Sequence, residues 1–288
     1  MPKPPAPRNP APARTRRPAA PLSQRPHAPH PEEHRKLFRV AGLAAVSALF
    51  EREPERVERL FFDERLKDAV GAFCQRLARA RRPYRMVDGD ELARVAGTAM
   101  HGGVVALIEP RPVPAFDPEA ARRWAADKRP LLVLDGVGNP HNLGAIVRTA
   151  AFFGFPRLIL SDHPAQALPS EAGYRVAEGG FEWLEVYRAE RFATALKRLK
   201  GAYRVVGTAL SPHARTPAAL APGKDGRPVA LVLGNEEEGL PPATLAACDE
   251  VVMIPGSGHV QSLNVAATAA ILIHALASPE SLRLSADT

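Results

Sequence analysis

Two short runs in this 288-residue chain admit no polar residue on either side of a strand: LLVL at 131–134 and ALVL at 230–233. A strand with one wet face alternates apolar and polar residues. A strand without alternation is buried on both faces, as in a parallel sheet covered by helices. The segments around these runs alternate between strand and helix patterns, which predicts a mainly parallel α/β sheet. Strands are expected at 131–134, 157–160, 183–187, 204–208, 229–233 and 251–254. Helices are expected at 143–153, 170–177, 189–199, 242–247 and 262–277.

Upstream lies a second, smaller pattern. Leu37, Val40, Leu43, Val46 and Leu49 recur every three residues, which reads as one helix face. A strand at 57–62, a basic amphipathic helix at 66–82, a short strand at 84–87, a helix at 90–95 and a strand at 103–108 follow. Residues 111–129 are proline-rich and read as a linker with one short helix around Trp124. The expected domains are therefore 34–110 and 130–288, which suits a length of about 150 residues per domain.

The formal charge of +7 is unevenly spread. Residues 1–31 hold Lys3, Arg8, Arg14, Arg16, Arg17 and Arg25 and no acid, which leaves +1 for the rest. Eleven of the 30 prolines lie there too, with no glycine. Proline removes backbone donors and fixes φ, so 1–33 is expected to be an extended, solvated, disordered tail. It reads either as an electrostatic arm for a polyanion or as an extension without a role. The two cysteines, Cys74 and Cys248, make no disulfide scaffold and suit a reducing, cytoplasmic compartment. The run 265–277 is too short to span a bilayer, and the amino terminus has no signal-like apolar stretch.

Three strand-to-helix loops are candidate sites, because ligands of open α/β sheets bind beyond the carboxyl ends of strands. The first, 134–154, places Asn142 where a helix N-cap belongs and Arg148 six residues on. Either residue could be merely structural. The second, LVLGNEEEGLP at 231–241, has Gly234, three consecutive acids and Gly239. It is no phosphate-binding loop, since Leu240 stands where lysine is required. The third, 251–276, leads through Gly256 and Gly258 to Ser262, a natural N-cap, and Asn264. The chain lacks GxGxxG after a strand, HExxH, CxxC and GxSxG. His141, His259 and His274 have no metal-ligand spacing, so no metal is expected.

In this order, NPHNLGAIVR (139–148), GNEEEGL (234–240) and IPGSGHVQSLNVAATAA (254–270) resemble the three motifs of the SpoU (TrmH-type) RNA ribose 2′-O-methyltransferases of the SPOUT superfamily. HGGVVALIEP (101–110) and the 34–109 region resemble the RNA substrate-binding domain often attached to that family. The resemblance implies a SPOUT-type sheet with a C-terminal trefoil knot, preceded by a small α/β RNA-binding domain, and a homodimer. It implies S-adenosylmethionine as cofactor, held by Gly234, Ile254 and Leu263 with Thr208 nearby, and rRNA or tRNA as substrate. Asn142, Arg148, Glu236, Ser262 and Asn264 match its active-site positions. On this reading glycine at 234 and 256 lets backbone approach the cofactor, and Gly234→Val should block binding with the fold largely intact. The alternative is a SPOUT-fold RNA-binding protein without catalysis, acting in ribosome or tRNA assembly.

The charge distribution makes one prediction. Contacts between cations and phosphate release counterions and weaken steeply with salt. Deleting residues 1–31 should lower RNA affinity at low salt and flatten its salt dependence, while leaving the methylated nucleotide unchanged. Filter binding across a salt series, with mapping of the modified position, checks both.

Overall fold

The computed structural model describes residues 37–221, 223 and 225–277. The expectation for 1–33 lies outside the described residues. The chain runs β1 (Phe38–Ala41), α1 (Leu43–Arg52), β2 (Val57–Phe62), α2 (Gly71–Arg79), β3 (Tyr84–Met86), α3 (Gly89–Ala96) and β4 (Val104–Ile108). It continues α4 (Pro118–Ala125), β5 (Leu131–Asp135), α5 (Pro140–Phe152), β6 (Arg157–Leu160), α6 (Glu171–Ala177), β7 (Glu185–Arg188) and α7 (Phe192–Leu199). Then come β8 (Arg204–Thr208), β9 (Val229–Gly234), α8 (Pro242–Ala247), β10 (Glu250–Val252) and α9 (Val265–Leu276).

The second half is one six-stranded parallel sheet, ordered β10-β8-β9-β5-β6-β7. β5 and β9 lie at its centre and are buried at every position. Their side chains divide by parity. Leu132, Leu134, Leu231 and Leu233 join the core that also holds α5, α6 and α9 residues. Leu131, Val133, Ala230 and Val232 join the core on the opposite face with α4, α7 and α8. That two-sided burial is why the two runs carry no polar residue.

From β5 the chain adds β6 and β7 on one side, then crosses to build β8, β9 and β10 on the other. β5 and β9 thus flank the point where strand order reverses, where open α/β sheets place their ligands. The connection from β8 to β9 runs along the outer edge of β10, where Arg215 bridges Val252 in parallel and Met253 donates to the Arg215 carbonyl at 2.9 Å. A 3₁₀ turn in that connection, Pro217–Leu220, packs against α9, which also contacts α5 and β9. A carboxyl-terminal segment lying beneath this connection fits the trefoil implied by the motifs.

The first half forms a four-stranded sheet, β1-β4-β2-β3, antiparallel except for β2 with β3. Here two expectations are corrected. The three-residue period across 37–49 is not one helix: Phe38–Ala41 pairs with β4, and Gly42, at φ 95°, turns the chain into α1. Pairing with a distant strand outweighs a local period. The basic helix is shorter than 66–82: Glu64–Leu66 is a separate 3₁₀ turn and α2 begins at Gly71.

The two sheets share one apolar core, in which Val46, Leu49 and Leu60 from the first half join Val147, Tyr174 and Phe181 from the second. A buried charge cluster crosses the same boundary. Arg56, 9% exposed, donates to Glu182 at 2.8 Å, Glu53 at 2.7 Å, the Tyr174 hydroxyl at 3.1 Å and the Glu109 carbonyl at 3.0 Å. Arg111 donates to Glu182 at 3.2 Å and to the Phe181 and Leu184 carbonyls. Burial pushes the Glu182 carboxyl above its ordinary range, against the pull of Arg56 and Arg111. At Glu53 burial also raises, but hydrogen bonds from Arg111 and Arg56 outweigh it and the carboxyl is held low.

Arg56→Met leaves Glu182 buried with half its compensation, and should destabilise by about 3–5 kcal/mol. Arg56→Met/Glu182→Gln should recover part of that loss, because the charge left behind is removed. Urea unfolding of the wild type, both single variants and the double variant measures the coupling.

Candidate active site

The site is built where β5 and β9 end. Their register sets Asp135 opposite Gly234, so the following loops lie side by side. After β5, Asn139 caps α5, its side chain accepting from the His141 N–H at 2.8 Å, and Pro140 occupies the first helical position. This corrects the expectation that Asn142 is the cap. Asn142 is the third residue of the helix, and its amide is free to reach sideways.

After β9 the three acids sit in a tight turn organised by Asn235. Its carbonyl oxygen accepts from the Glu237 and Glu238 N–H groups at 2.8 and 3.1 Å, and its amide donates to the Gly136 carbonyl at 2.8 Å. Asn235 and Gly239 close the turn with two backbone bonds, 3.0 and 3.1 Å. Glu237 and Glu238 face solvent. Glu236 turns instead to α5 and accepts from the Asn142 amide at 2.7 Å. Three adjacent like charges are thereby separated.

The third loop completes the arrangement. Asn264, not Ser262, caps α9, accepting from the Ala266 N–H at 2.8 Å. Its side-chain amide donates to the Asn142 Oδ1 at 3.2 Å. Asn264, Asn142 and Glu236 form one directional chain that fixes the Asn142 amide from both ends and joins all three motifs.

Two of the anticipated residues stand apart. Ser262 is exposed in the loop 255–264 and makes no hydrogen bond among the described residues. Arg148 lies six residues beyond Asn142 on α5, about 9 Å along the axis and turned to another face. It pairs with Glu178 at 2.9 Å, both side chains more than half exposed.

Of the expected cofactor residues, Thr208 donates to the Val232 carbonyl at 3.2 Å, holding β8 to β9. Ile254 packs against the main core, and Leu263 is 47% exposed. Between the segments that follow Thr208 and precede Ile254 lies a shallow, open depression walled by Leu210, Ser211, Pro212, Ala214 and Met253. Its largely apolar wall suits an adenine ring. In the neighbouring loop 255–264 every residue is exposed, and among the described residues only His259 spends its backbone N–H, on the Ser257 hydroxyl. Those free donors suit the polar atoms of a nucleoside, so the residues present fit S-adenosylmethionine.

Gly234 requires a correction. A Cβ there would fall 2.5–2.6 Å from backbone atoms of Gly239 and Leu240, so the chain itself occupies the space. A Cβ on Gly256 would meet nothing within 4 Å. One supporting pair lies outside the anticipated residues. Asp135, 2% exposed, accepts from the Thr244 hydroxyl at 2.6 Å and ties the end of β5 to α8. A carboxylate directly after the apolar run LLVL is the signal that could have revealed it.

Comparison with known proteins bears on this arrangement. Residues 129–274 match the SpoU rRNA Methylase family, and residues 39–114 match the RNA 2′-O ribose methyltransferase substrate binding family. The 23S rRNA (guanosine-2′-O-)-methyltransferase RlmB of Acinetobacter baylyi is 35% identical over 240 residues, covering 81% of this chain and 94% of the relative. The uncharacterized tRNA/rRNA methyltransferase YfiF of Escherichia coli O157:H7 is 34% identical over 236 residues, covering 82% and 66%. Among solved structures, an rRNA methyltransferase from Sinorhizobium meliloti has the same fold, with a TM-score of 0.67 at 22% identity over 84% of this chain and 87% of that one.

The Gly234 geometry yields a prediction. Gly234→Ala should destabilise by about 1–3 kcal/mol, since overpacking against backbone forces the turn to move. Gly256→Ala should leave stability nearly unchanged. Chemical denaturation of the two variants separates a glycine required by the chain from one merely exposed.

Proposed function

The chain belongs to the SpoU rRNA methylase family, and from that membership we infer that it transfers a methyl group from S-adenosylmethionine to a ribose 2′-hydroxyl of rRNA or tRNA. The observation that carries the residue assignment is the chain from Asn264 through Asn142 to Glu236, which unites the three motifs beyond the ends of β5 and β9. Thr208, Ile254 and Leu263, with the backbone of Gly234 and of 255–264, would hold the cofactor. Bound there, it supplies a methyl already activated as a sulfonium.

What remains for the protein is to place the ribose hydroxyl in line and to ease loss of its proton. Orientation of this kind supplies up to about 7–11 kcal/mol of a barrier. Asn142 and Glu236 fix the geometry at the reacting end. Asn264 orders the loop, and Ser262, exposed at its surface, would meet the ribose. Arg148, turned away from this chain's own Asn142, would reach the reacting ribose across a homodimer, binding an RNA phosphate and stabilising the developing alkoxide. A guanidinium holds its proton tightly and is a poor base, so proton abstraction is not its first role.

The finer assignments follow the same reading. Residues 34–110 serve as the RNA substrate-binding domain, 111–129 as linker and 130–288 as catalytic domain. The relatives named as guanosine-2′-O-methyltransferases of 23S rRNA make rRNA guanosine the first substrate to try. A homodimer is supported by apolar residues left exposed on two helices, Phe152 at 78% on α5 and Ile271 at 41% on α9. Among the described residues no helix is long and apolar enough to cross a membrane, and RNA substrates are in keeping with a cytoplasmic protein.

Incubation with RNA from cells lacking the gene and methyl-labelled S-adenosylmethionine should place label in alkali-resistant dinucleotides, because a 2′-O-methyl group blocks cleavage. Asn142→Ala should lower the rate roughly 100-fold, the scale for loss of one preorganised donor, with thermal stability little changed. Binding of RNA without any methyl transfer by the wild type would favour the non-catalytic assembly role.

A further inference from the structure

Five consecutive residues, Glu178 to Glu182, run between a helix of the first sheet and the helix that carries Arg148. At Gly179, φ 89°, a Cβ would fall 3.0 Å from the Ala48 Cβ and 3.2 Å from the Ala45 Cα of α1. At Gly180 it would fall 3.1 Å from the Arg148 Cα and 3.2 Å from the Val147 carbonyl oxygen of α5. The segment touches both helices through backbone at the two points where a side chain would hold them apart. It ends at Glu182, whose carboxylate is bound by Arg56 and Arg111.

Glu178 opens the segment and pairs with Arg148 at 2.9 Å. It adopts φ 45°, ψ 47°, the left-handed region that a residue with a Cβ enters at a cost and glycine enters freely. An ion pair with both partners more than half exposed contributes little stability. Neither the backbone nor the pair therefore accounts for a glutamate here on grounds of stability. Its position against Arg148 does.

We infer that Glu178 is a positioning residue for Arg148, and that the segment 178–182 conveys to it the docking of the first sheet. The inference rests on the reading of Arg148 given under the proposed function. A carboxylate occupies only part of the five-donor guanidinium fork, and so orients the remaining N–H groups while leaving them available for phosphate or alkoxide. The first sheet bears on this through two contacts on the same short segment: α1 against Gly179, and Arg56 on Glu182.

The test is steady-state methyl transfer by the full chain, with rRNA from a strain lacking the gene as substrate and S-adenosylmethionine in excess. Glu178→Gly removes the carboxylate at a backbone geometry that glycine prefers, so its thermal midpoint should not fall. It should lower kcat about tenfold, the scale for residues that orient a functional group, with any rise in KM for RNA smaller than the fall in kcat and cofactor affinity unchanged. Glu178→Asp should restore most of the loss. Wild-type kcat in Glu178→Gly, a change confined to KM, or a loss that Glu178→Asp does not relieve would each overturn the assignment. A wild type that transfers no methyl would overturn the functional reading itself and this inference with it. Turnover by the wild type separates the two failures.

Discussion

The parallel register of β5 against β9 is the constraint on which the site depends. Leu134 lies opposite Leu233 and Asp135 opposite Gly234, with every side chain of both strands buried. A slip of one residue would send a strand's larger and smaller side chains to the wrong one of two close-packed cores, overpacking one at about 1–3 kcal/mol per misfit and leaving cavities in the other. The register is therefore pinned by packing. Because it is, the loops that follow leave the sheet at the same height, and Asn142 and Glu236 meet at 2.7 Å although 94 residues separate them.

Around that pair the polar contacts are economical. Asn235 anchors its own turn and the Gly136 carbonyl, and Asp135 is anchored by Thr244. Each buried or half-buried polar group near the strand ends is thus held by another element, which keeps the Asn142 amide in one orientation. The loop 255–264 is the opposite case, exposed throughout and, among the described residues, with nearly all its backbone donors free. A rigid platform beside an open loop is the expected division between residues that orient a reaction and residues that close over a ligand.

The first sheet is joined to this platform by apolar contact and by charge. Arg56 and Arg111 converge on Glu182, and Phe38 meets Tyr174 edge to face at 5.9 Å. Replacing either arginine leaves a buried carboxylate short of compensation, so the interface tolerates little rearrangement. The parts that resemble an RNA-binding domain and a catalytic domain consequently share a single core rather than hanging from a free linker.

Much of this was legible in the sequence. The unbroken apolar runs, set among alternating strand and helix patterns, pointed to a parallel sheet covered on both faces. The three loops beyond strand ends marked the site and contained Asn142, Glu236 and Asn264. Local pattern failed where a distant partner decides. The period across 37–49 concealed a strand that exists only because β4 is beside it. Asn142 and Ser262 were natural caps by type, but Asn139 and Asn264 took those places. Gly234 looked like room for a ligand and proved to be room for Gly239 and Leu240. The pairing of Arg148 with Glu178, 30 residues away and outside all three motifs, left no trace in the sequence. Element types, buried faces and the chemical inventory of the loops follow from periodicity and residue type within a few turns of chain, and so could be read along it. Which polar groups meet could not, because hydrogen bonds depend on distances of a few tenths of an ångström that are set when separate elements pack.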